Sequence, residues 1–377
     1  MSLKIGVMVP RSDMYPALGM DFLNGLKLSF SQSMLPEPQF IIEGIGNATD
    51  KSLMKTAEKL VLQENVDITI SFCSVFFLDE FVALFNSYRK LLIHVDLGGS
   101  VLKKEHVSPY VFHLSLNLCQ SAYTSGEWAA KNLGKKVFMA SSFYDGGYQM
   151  TESFVQGFTK HGGEVVGYYV GISDYKSDDP HRLIEGLQAE EFDFLFALFS
   201  FNEGKRIFDT LANSEFNGKL PILVVPTMTD PTIVTENLNV ENVHSIASWA
   251  FDDESEKMKN FKSSYTQAFE NQPNIISLLG YEAGLTVEKC VNSEAGTLAN
   301  FDDLKSEFTI DSPRGKLSCN HFIESHPSSF KLRKFEFNET QYHNHIKEEI
   351  IVEKHEDLYK NFEEITYTGW MNPYICT

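Results

Sequence analysis

The chain has 377 residues, of which 43% are hydrophobic and 22% charged, as is usual for a soluble globular protein. Its formal net charge of −19 argues against partners such as nucleic acid or an anionic membrane surface. The length predicts two domains, and because no apolar run reaches about 18 residues, no membrane span is expected.

The amino terminus bears on the compartment. The first predicted strand region begins at Leu3, so this sequence contains no segment that reads as a signal peptide. Two interpretations are open: the protein is cytoplasmic, or its first two residues stand where a leader was removed. The five cysteines are widely spaced without a CxxC pair, which argues against a zinc ribbon or a thioredoxin-type motif.

Strand and helix patterns alternate from the start of the chain. Strands are predicted at residues 4–10, 40–45, 67–72, 91–95 and 110–115, and helices at residues 17–34, 51–65 and 78–88. The repeated β-α order predicts a parallel sheet with helices on both faces.

A second block of the same kind follows. It contains predicted strands at residues 136–141, 164–170, 192–199 and 222–225, and predicted helices at residues 122–133, 148–161, 183–189 and 203–212. Beyond it we expect a strand at 244–250, helices at 256–270, 277–291 and 301–308, a turn at 312–315 and a strand at 331–338. Residues 346–352 fit either a strand or a helix, and the aromatic end of the chain has no assigned structure.

Two turns in the first block suit a small anion. Ser74 follows one predicted strand, and Gly98 and Gly99 follow the next, so both turns lie at the carboxyl edge where open parallel sheets bind ligands. A hydroxyl and unhindered backbone N–H groups can receive a ligand carboxylate. The alternative is purely structural: Ser74 caps a helix and the glycines form a turn.

Four motifs appear in order between residues 4 and 316. They are KIGVMVPRSDMYPALGMDFLNGLKLSF at 4–30, YDGGY at 144–148 with SFVQGFTKHGGEVV at 153–166, GYEAG at 280–284 and SPRGK at 312–316. In this order the chain resembles the type I periplasmic binding proteins, in the branch that binds leucine, isoleucine and valine. These proteins are the solute-binding components of ABC transporters.

The resemblance implies an α/β fold of two doubly wound parallel-sheet lobes joined by a three-crossing hinge, closing as a clamshell on a ligand. Lobe one would comprise residues 1–117 and 248–327, and lobe two residues 118–247 and 328–377. The crossings would lie near residues 116–120, 245–251 and 324–329. The implied partners are a small amino-acid-like or carboxylate ligand and a transporter permease, and the implied location is periplasmic.

Family binding positions transfer to several residues of this sequence. A ligand α-carboxylate would be held by Ser74 and by the turn Leu97, Gly98 and Gly99. In lobe two the resemblance points to Tyr144, Asp145, Thr227 and, after the strand at 192–199, Ser200 or Phe201. Separately from the resemblance, the aromatic side chains of Tyr15, Phe76, Phe77, Phe143 and Phe201 could line an apolar pocket, although each is equally compatible with core packing.

The sequence departs from the family pattern at one important position. The family's acidic residue, which holds the ligand amino group, should lie near Pro226 or Thr227, where no carboxylate is present. Asp230 is the nearest in sequence, and Asp145 is the other candidate. This departure leaves open a neutral or purely anionic ligand. The family's small disulfide would also need a partner for Cys73 near residues 44–49, and none is there.

Other functions find little support. The chain contains no GxSxG, HExxH or Walker A motif, so no catalytic residues and no cofactor are predicted. His343, His345, Glu348 and Glu349 resemble a solvated acidic face more than a metal site. The alternative to transport is a ligand-sensing regulatory module of the same fold that acts on a protein partner.

Overall fold

The computed structural model describes residues 3–230, 237–292, 297–299, 307–319, 324–352, 356–363, 370 and 372–376. Two large sheets contain most of the strands, and each has a parallel core. Among the described helices, none has the length and apolar character that crossing a membrane would require.

The first sheet is parallel throughout, in the strand order β2-β1-β3-β4-β5. Its strands are β1 (Lys4–Val9), β2 (Gln39–Gly44), β3 (Ile68–Phe72), β4 (Leu91–Val95) and β5 (Val111–Leu114). Its helices are α1 (Leu18–Gln32), α2 (Asp50–Glu58) and α3 (Leu78–Tyr88). β3 and β4 are buried at every position, as expected for central strands covered on both faces.

The second sheet has the order β17-β16-β10-β9-β8-β6-β7, with β16 and β17 added antiparallel to a parallel core. Its strands are β6 (Lys136–Ser141), β7 (Glu164–Val170), β8 (Phe194–Leu198), β9 (Ile222–Val224), β10 (Val243–Ala247), β16 (Ser329–Asn338) and β17 (Gln341–Ile351). The helices of this part are α4 (Leu118–Asn132), α5 (Met150–Lys160), α6 (His181–Ala189) and α7 (Phe201–Ala212).

The remaining elements lie between or after these strands. They are α8 (Glu256–Phe269), α9 (Ile275–Cys290), the short pairs β11 (Val291–Asn292) with β12 (Thr297–Leu298), the small sheet β13 (Phe308–Ser312), β14 (Gly315–Cys319) and β15 (His326–Pro327), and α10 (Glu356–Glu363). α9 packs against α1, β4 and β5, so the chain returns to the first sheet after β10.

The chain therefore passes between the sheets three times, and the passing segments are bonded to one another. The hydroxyl of Ser248 donates to the carbonyl oxygen of Leu116 at 2.7 Å. The side-chain amide of Asn117 donates to the carbonyl oxygen of Ser325, also at 2.7 Å. The first passage is thus hydrogen-bonded to both the second and the third.

A buried ion pair holds this connection. Arg314 binds both carboxylate oxygens of Glu282, at 2.7 and 3.0 Å, and both side chains are fully buried. The guanidinium also donates to the hydroxyl of Ser248 at 2.5 Å, the carbonyl of Ser115 at 2.7 Å and Asn117 Oδ1 at 3.3 Å. We call these five residues the hinge cluster. It joins two motifs of the sequence, at 280–284 and 312–316, into one bonded unit.

Glycines permit two close helix contacts, one beside each sheet. A Cβ added to Gly25 in α1 would lie 1.9 Å from the carbonyl oxygen of Ser277 in α9, and Gly280 is equally restricted. Between α4 and α5, a Cβ added to Gly126 or Gly157 would lie 2.3 or 2.1 Å from a backbone oxygen of the facing helix. The backbones of both pairs touch, so only glycine fits at these positions.

The predicted α/β class with parallel sheets is confirmed. Residues 301–306 of the helix predicted at 301–308 lie outside the described residues, so most of it is untested; its predicted end is wrong, because Phe308 begins β13. The helix predicted at 51–65 ends as α2 at Glu58 and continues as a wider π-helical turn, Lys59–Gln63. Residues 346–352 belong to β17 through Ile351.

Candidate functional site

Loops from both sheets line one cavity of about 280 Å³. Asp13 and Met14 come from the loop after β1, whereas Tyr144, Ser200 and Glu203 follow β6 and β8. These loops leave the carboxyl ends of parallel strands, which is where open α/β sheets bind ligands. We call the space between these two sets of loops the cleft.

The loop after β6 is fixed by its own hydrogen bonds. The Ser142 hydroxyl accepts from the backbone N–H of Asp145 at 2.8 Å and donates to Asp145 Oδ2 at 2.6 Å. A short 3₁₀ turn, Asp145–Gly147, follows. The local contacts hold the Asp145 carboxyl at the strand end with its second oxygen directed away from Ser142.

That second oxygen belongs to a buried group of hydroxyls. Ser200 donates to Asp145 Oδ1 at 2.6 Å, and the phenol of Tyr374 donates to the same atom at 2.6 Å. The Tyr374 oxygen also lies 2.9 Å from the Ser200 hydroxyl and 3.3 Å from that of Thr227. We call these four residues the cleft cluster. Three of them follow β6, β8 and β9, whereas Tyr374 comes from the end of the chain.

Neighbours of Tyr374 also bind in the cleft region. The Tyr148 hydroxyl donates to the carbonyl oxygens of Asn372 and Pro373, at 3.4 and 3.3 Å. The Tyr148 and Tyr374 rings meet edge to face with centroids 5.0 Å apart. Trp370 donates from its indole nitrogen to the Tyr144 carbonyl oxygen at 2.6 Å. Residues 364–369 and 371, between this segment and α10, lie outside the described residues.

The first sheet contacts the same segment from the other side. The Ser12 hydroxyl donates to the carbonyl oxygen of Ile375. Gly99 lies so close that a Cβ added to it would be 3.1 Å from the Cβ of Tyr374. Gly99 also accepts a hydrogen bond from the backbone of Gln149, at 2.9 Å. The cleft is therefore closed, with loops of both sheets in contact.

The predicted anion-binding turn already holds a carboxyl group of the chain. The N–H of Leu97 donates to Asp96 Oδ1 at 2.6 Å, and the N–H of Gly98 also bonds this side chain. Burial raises the pKa of Asp96 to about 7, and the nearby Glu324 adds to the effect, although these N–H groups oppose it. Two backbone donors expected to meet a ligand are thus engaged by Asp96 here.

Three other predicted residues make structural contacts. Ser74 caps the 3₁₀ turn before α3, where its hydroxyl oxygen accepts from the Phe76 N–H at 3.3 Å. Phe76 packs against the core on the α2 and α3 side of the first sheet. Tyr15 bonds Asp21 in α1 and accepts from the Asn274 side chain at 2.5 Å. These contacts fit their structural interpretation, while a role in ligand binding stays a prediction.

The candidate acids lie in different places. Asp145 is in the cleft cluster, whereas Asp230 is buried directly after the 3₁₀ turn Pro226–Thr229, near the guanidinium of Arg333. Burial lowers the pKa of Arg333 to about 10, and Asp230 partly counteracts this. In the cavity, burial raises the pKa of Glu203 to about 7, helped by the nearby Asp145. The cavity wall therefore carries acidic groups.

The structure brings together five predicted residues: Gly99, Tyr144, Asp145, Ser200 and Thr227. Phe201 begins α7, but its side chain lies outside the described residues. Tyr374 and Tyr148 were not predicted. The available signal was the apolar, aromatic end of an otherwise acidic tail, which is unusual for a solvated terminus.

All five cysteines are buried thiols. Burial raises the pKa of Cys73 to about 12, so this thiol is protonated and unreactive at neutral pH. Cys376 is 3% exposed and follows Tyr374 by two residues, so its accessibility depends on the position of this segment.

The sequence matches a protein family described as periplasmic binding protein over residues 2–324. No curated protein sequence is similar enough to this chain to count as a match. Three similar solved structures define the fold further.

One is a solute binding protein of an ABC transporter from Rhodopseudomonas palustris HaA2 in complex with p-hydroxybenzoic acid. It has a TM-score of 0.80 and 16% identity, over 96% of this chain and 100% of that one. Another, from R. palustris BisB5 with 3,4-dihydroxybenzoic acid, has a TM-score of 0.75 and 19% identity, over 94% and 99%.

The third is a branched-chain amino acid transporter substrate binding protein from Streptococcus pneumoniae in complex with isoleucine. It has a TM-score of 0.67 and 15% identity, over 93% of this chain and 99% of that one. At these identities the similarity establishes the fold.

Proposed function

The chain belongs to the periplasmic binding protein family, and on that premise we propose that it is the solute-binding component of an ABC-type uptake system. Its ligand is a small amino-acid-like or carboxylate molecule held between two lobes. The observation that carries this proposal is the cleft itself, where polar side chains at the carboxyl ends of β6, β8 and β9 meet loops of the first sheet.

The lobes of this proposal comprise residues 1–117 with 248–327, and residues 118–247 with 328–377. The five strands of the first sheet fall within residues 1–117. The strands of the second sheet fall within residues 118–247 and 328–377. Hydrogen bonds between the three passages support a common hinge. Closing the lobes would then form the site, because only the closed form contacts a ligand from both sides.

Asp145 supports a ligand that carries a hydrogen-bond donor. The carboxylate that the family pattern places after β9 is missing. Asp145, from the loop after β6, nevertheless contacts the hydroxyl oxygen of Tyr374, as Thr227 does. An ammonium group or a phenol hydroxyl would satisfy it. Solved relatives that bind isoleucine and hydroxybenzoates provide one example of each chemistry.

Ser74 and Gly99 are the proposed contacts for the acidic end of the ligand, with Tyr144 beside it. Leu97 and Gly98 would contribute only if Asp96 released their N–H groups. The proposed partner is a transporter permease and the proposed location is periplasmic, with a cytoplasmic location if the natural chain has no leader.

A calorimetric titration with isoleucine, p-hydroxybenzoate and 3,4-dihydroxybenzoate tests this proposal. We expect at least one to bind with a stoichiometry of one and to stabilise the protein by about 2.7 kcal/mol at 100-fold excess over its Kd. Thr227→Val should weaken that binding about tenfold by removing a hydroxyl from the site.

The matched control is Thr286→Val, since Thr286 is a buried threonine of α9 bonded to its own helix. Its affinity should equal that of the natural protein. Absence of binding by a wide panel of amino acids and aromatic acids, together with no small molecule released in native mass spectrometry, would remove the support for a transport role.

The second candidate is a ligand-sensing module of the same fold that acts on a protein partner. One observation favours it, namely that the chain's own terminal residues fill part of the cleft. Uptake of labelled ligand by cells without the gene separates the two functions. Lost uptake supports transport, and unchanged uptake with an altered response to the ligand supports sensing.

A further inference from the structure

The segment Asn372–Cys376 lies inside the candidate binding site. Tyr374, Ile375 and Cys376 are 2%, 2% and 3% exposed, which matches the burial of the sheet interiors. Terminal residues are usually the least ordered part of a domain unless specific contacts hold them. Such contacts are present here, and they involve the cleft rather than the outer surface.

The contacts are those of a ligand between two closed walls. On the second-sheet side, the Tyr374 phenol reaches Asp145, Ser200 and Thr227 at 2.6, 2.9 and 3.3 Å. On the first-sheet side, the Ser12 hydroxyl donates to Ile375 and Gly99 contacts the Tyr374 side chain. The segment thereby contacts loops of both sheets at once.

The chemistry is complementary as well. Asp145 accepts hydrogen bonds from Ser142, Ser200 and Tyr374, so the position that Tyr374 fills requires a donor. A phenol provides that donor and an apolar ring, and the Tyr148 ring meets this ring edge to face. Burial, with Asp145 next in importance, raises the pKa of Tyr374 well above its usual value, so the hydroxyl keeps its proton.

We propose that the terminal segment Asn372–Cys376 is a built-in occupant of the cleft, and that a solute enters by displacing it and placing its own donor group on Asp145. The displacement step rests on the proposed function, whereas the docking of the segment does not. Because the occupant belongs to the same chain, it competes with a solute intramolecularly. The solute affinity therefore falls in proportion to the fraction of molecules with a free cleft.

Cys376 gives a direct readout. Maleimide labelling of the full-length protein under native conditions, followed by peptide mass analysis, gives a separate rate for each of the five buried thiols. We expect Tyr374→Phe, which deletes the hydroxyl of the cleft cluster, to accelerate labelling of Cys376 about tenfold. Cys73, Cys119, Cys290 and Cys319 should keep their rates, because they are buried outside the segment Asn372–Cys376.

The matched control is Tyr342→Phe. Tyr342 is also a buried tyrosine whose hydroxyl oxygen accepts a hydrogen bond, from Leu238 N at 2.9 Å, but it lies in β17. This variant should leave the Cys376 rate unchanged. Rapid labelling of Cys376 in the natural protein, or equal rates in both phenylalanine variants, would overturn docking of the segment. Simultaneous acceleration of all five thiols in Tyr374→Phe would also overturn it, because it would indicate global loosening.

The displacement step is tested with p-hydroxybenzoate and isoleucine as probes. Saturating probe should accelerate labelling of Cys376 in the natural protein, and Tyr374→Ala should bind the probe at least tenfold more tightly. A probe that binds without changing the Cys376 rate would overturn displacement and leave the proposed function standing. If neither probe binds while Tyr374→Phe exposes Cys376, the segment occupies the cleft, and p-hydroxybenzoate and isoleucine are not ligands of this protein.

Discussion

The hinge cluster and the cleft cluster are equally buried but differ in what completes them. In the hinge cluster, an arginine on the turn between β13 and β14 meets a glutamate of α9, and secondary structure continues on both sides of each residue. In the cleft cluster, Asp145, Ser200 and Thr227 follow strands of the second sheet, and they meet Tyr374 of the segment Asn372–Cys376.

The difference concerns what happens when a partner leaves. Removing either member of the hinge pair leaves a buried charge without its counterion, and the neighbouring segments cannot replace it. Removing Tyr374 from the cleft leaves hydroxyls and a carboxyl group that water or a solute can satisfy. The two clusters are equally buried, but the hinge cluster stabilises the fold, whereas the cleft cluster allows Tyr374 to be replaced by water or a solute.

The largest effect is expected at the hinge. Arg314→Ala should lower the free energy of unfolding by about 3–5 kcal/mol, because Glu282 becomes an unpaired buried charge. Urea denaturation followed by circular dichroism measures this directly. Arg182→Ala is the control, since Arg182 forms an ion pair with Asp178 while half exposed, and its loss should cost less than about 1 kcal/mol. An equal loss of free energy of unfolding in Arg314→Ala and Arg182→Ala would contradict the claim that the buried ion pair matters more than the exposed one.

An intermediate effect concerns protonation beside the cleft. Because folding raises the pKa of Asp96 from 3.8 to about 7, this carboxyl favours folding at low pH, and its contribution is lost as pH rises through 7. Asp96→Asn stays neutral. Its free energy of unfolding relative to the natural protein should therefore increase by about 2 kcal/mol between pH 5 and pH 7.

Asp174→Asn is the control for this titration. Asp174 lies on the surface, and bonding to Ser177 lowers its pKa, so its contribution changes only in acid. The difference in free energy of unfolding between Asp174→Asn and the natural protein should not change with pH above pH 5. A flat curve for Asp96→Asn as well would show that Asp96 is ionised in the folded protein throughout this range.

The smallest effect separates the two interpretations of Ser74. Ser74→Ala should cost about 1 kcal/mol of stability, because the Phe76 N–H loses its capping partner. The hydroxyl oxygen of Ser255 caps α8 in a comparable way by accepting from the N–H of Met258. Ser255→Ala should therefore cost a similar amount of stability. If Ser74 also binds a ligand carboxylate, only Ser74→Ala will weaken binding, by a further 1–3 kcal/mol or so.

The fold was predictable because its strands are short apolar runs and its helices have clear apolar faces. The predicted ends of α3 and β4 agree with the structure residue for residue, at Leu78–Tyr88 and Leu91–Val95. The order of strands and helices then restricts the architecture to a few topologies. The error at Phe308 arose because an isolated aromatic position fits either a short helix or an edge strand.

The candidate site was predictable only in part. Gly99 follows a predicted strand, so the rule for parallel sheets locates it. Asp145 and Thr227 were predicted from the family resemblance instead. Tyr374 could not be found in this way, because its partners lie 229, 174 and 147 residues away in the sequence. The engagement of the Leu97 N–H by Asp96 was equally invisible, since it depends on the side-chain conformation of a single residue.

The glycine contacts limit how this protein can be engineered for heat resistance. Replacing helical glycine by alanine is a common route to stabilisation, because alanine favours the helix by about 1 kcal/mol. In α1 and α4 the new methyl group would meet a backbone oxygen at 1.9 or 2.3 Å, so the helices would have to separate. Gly44, at the end of β2, has nothing within 4 Å of an added Cβ. Substitutions intended to raise the melting temperature therefore belong at open positions such as Gly44, and the helix pairs should be left unchanged.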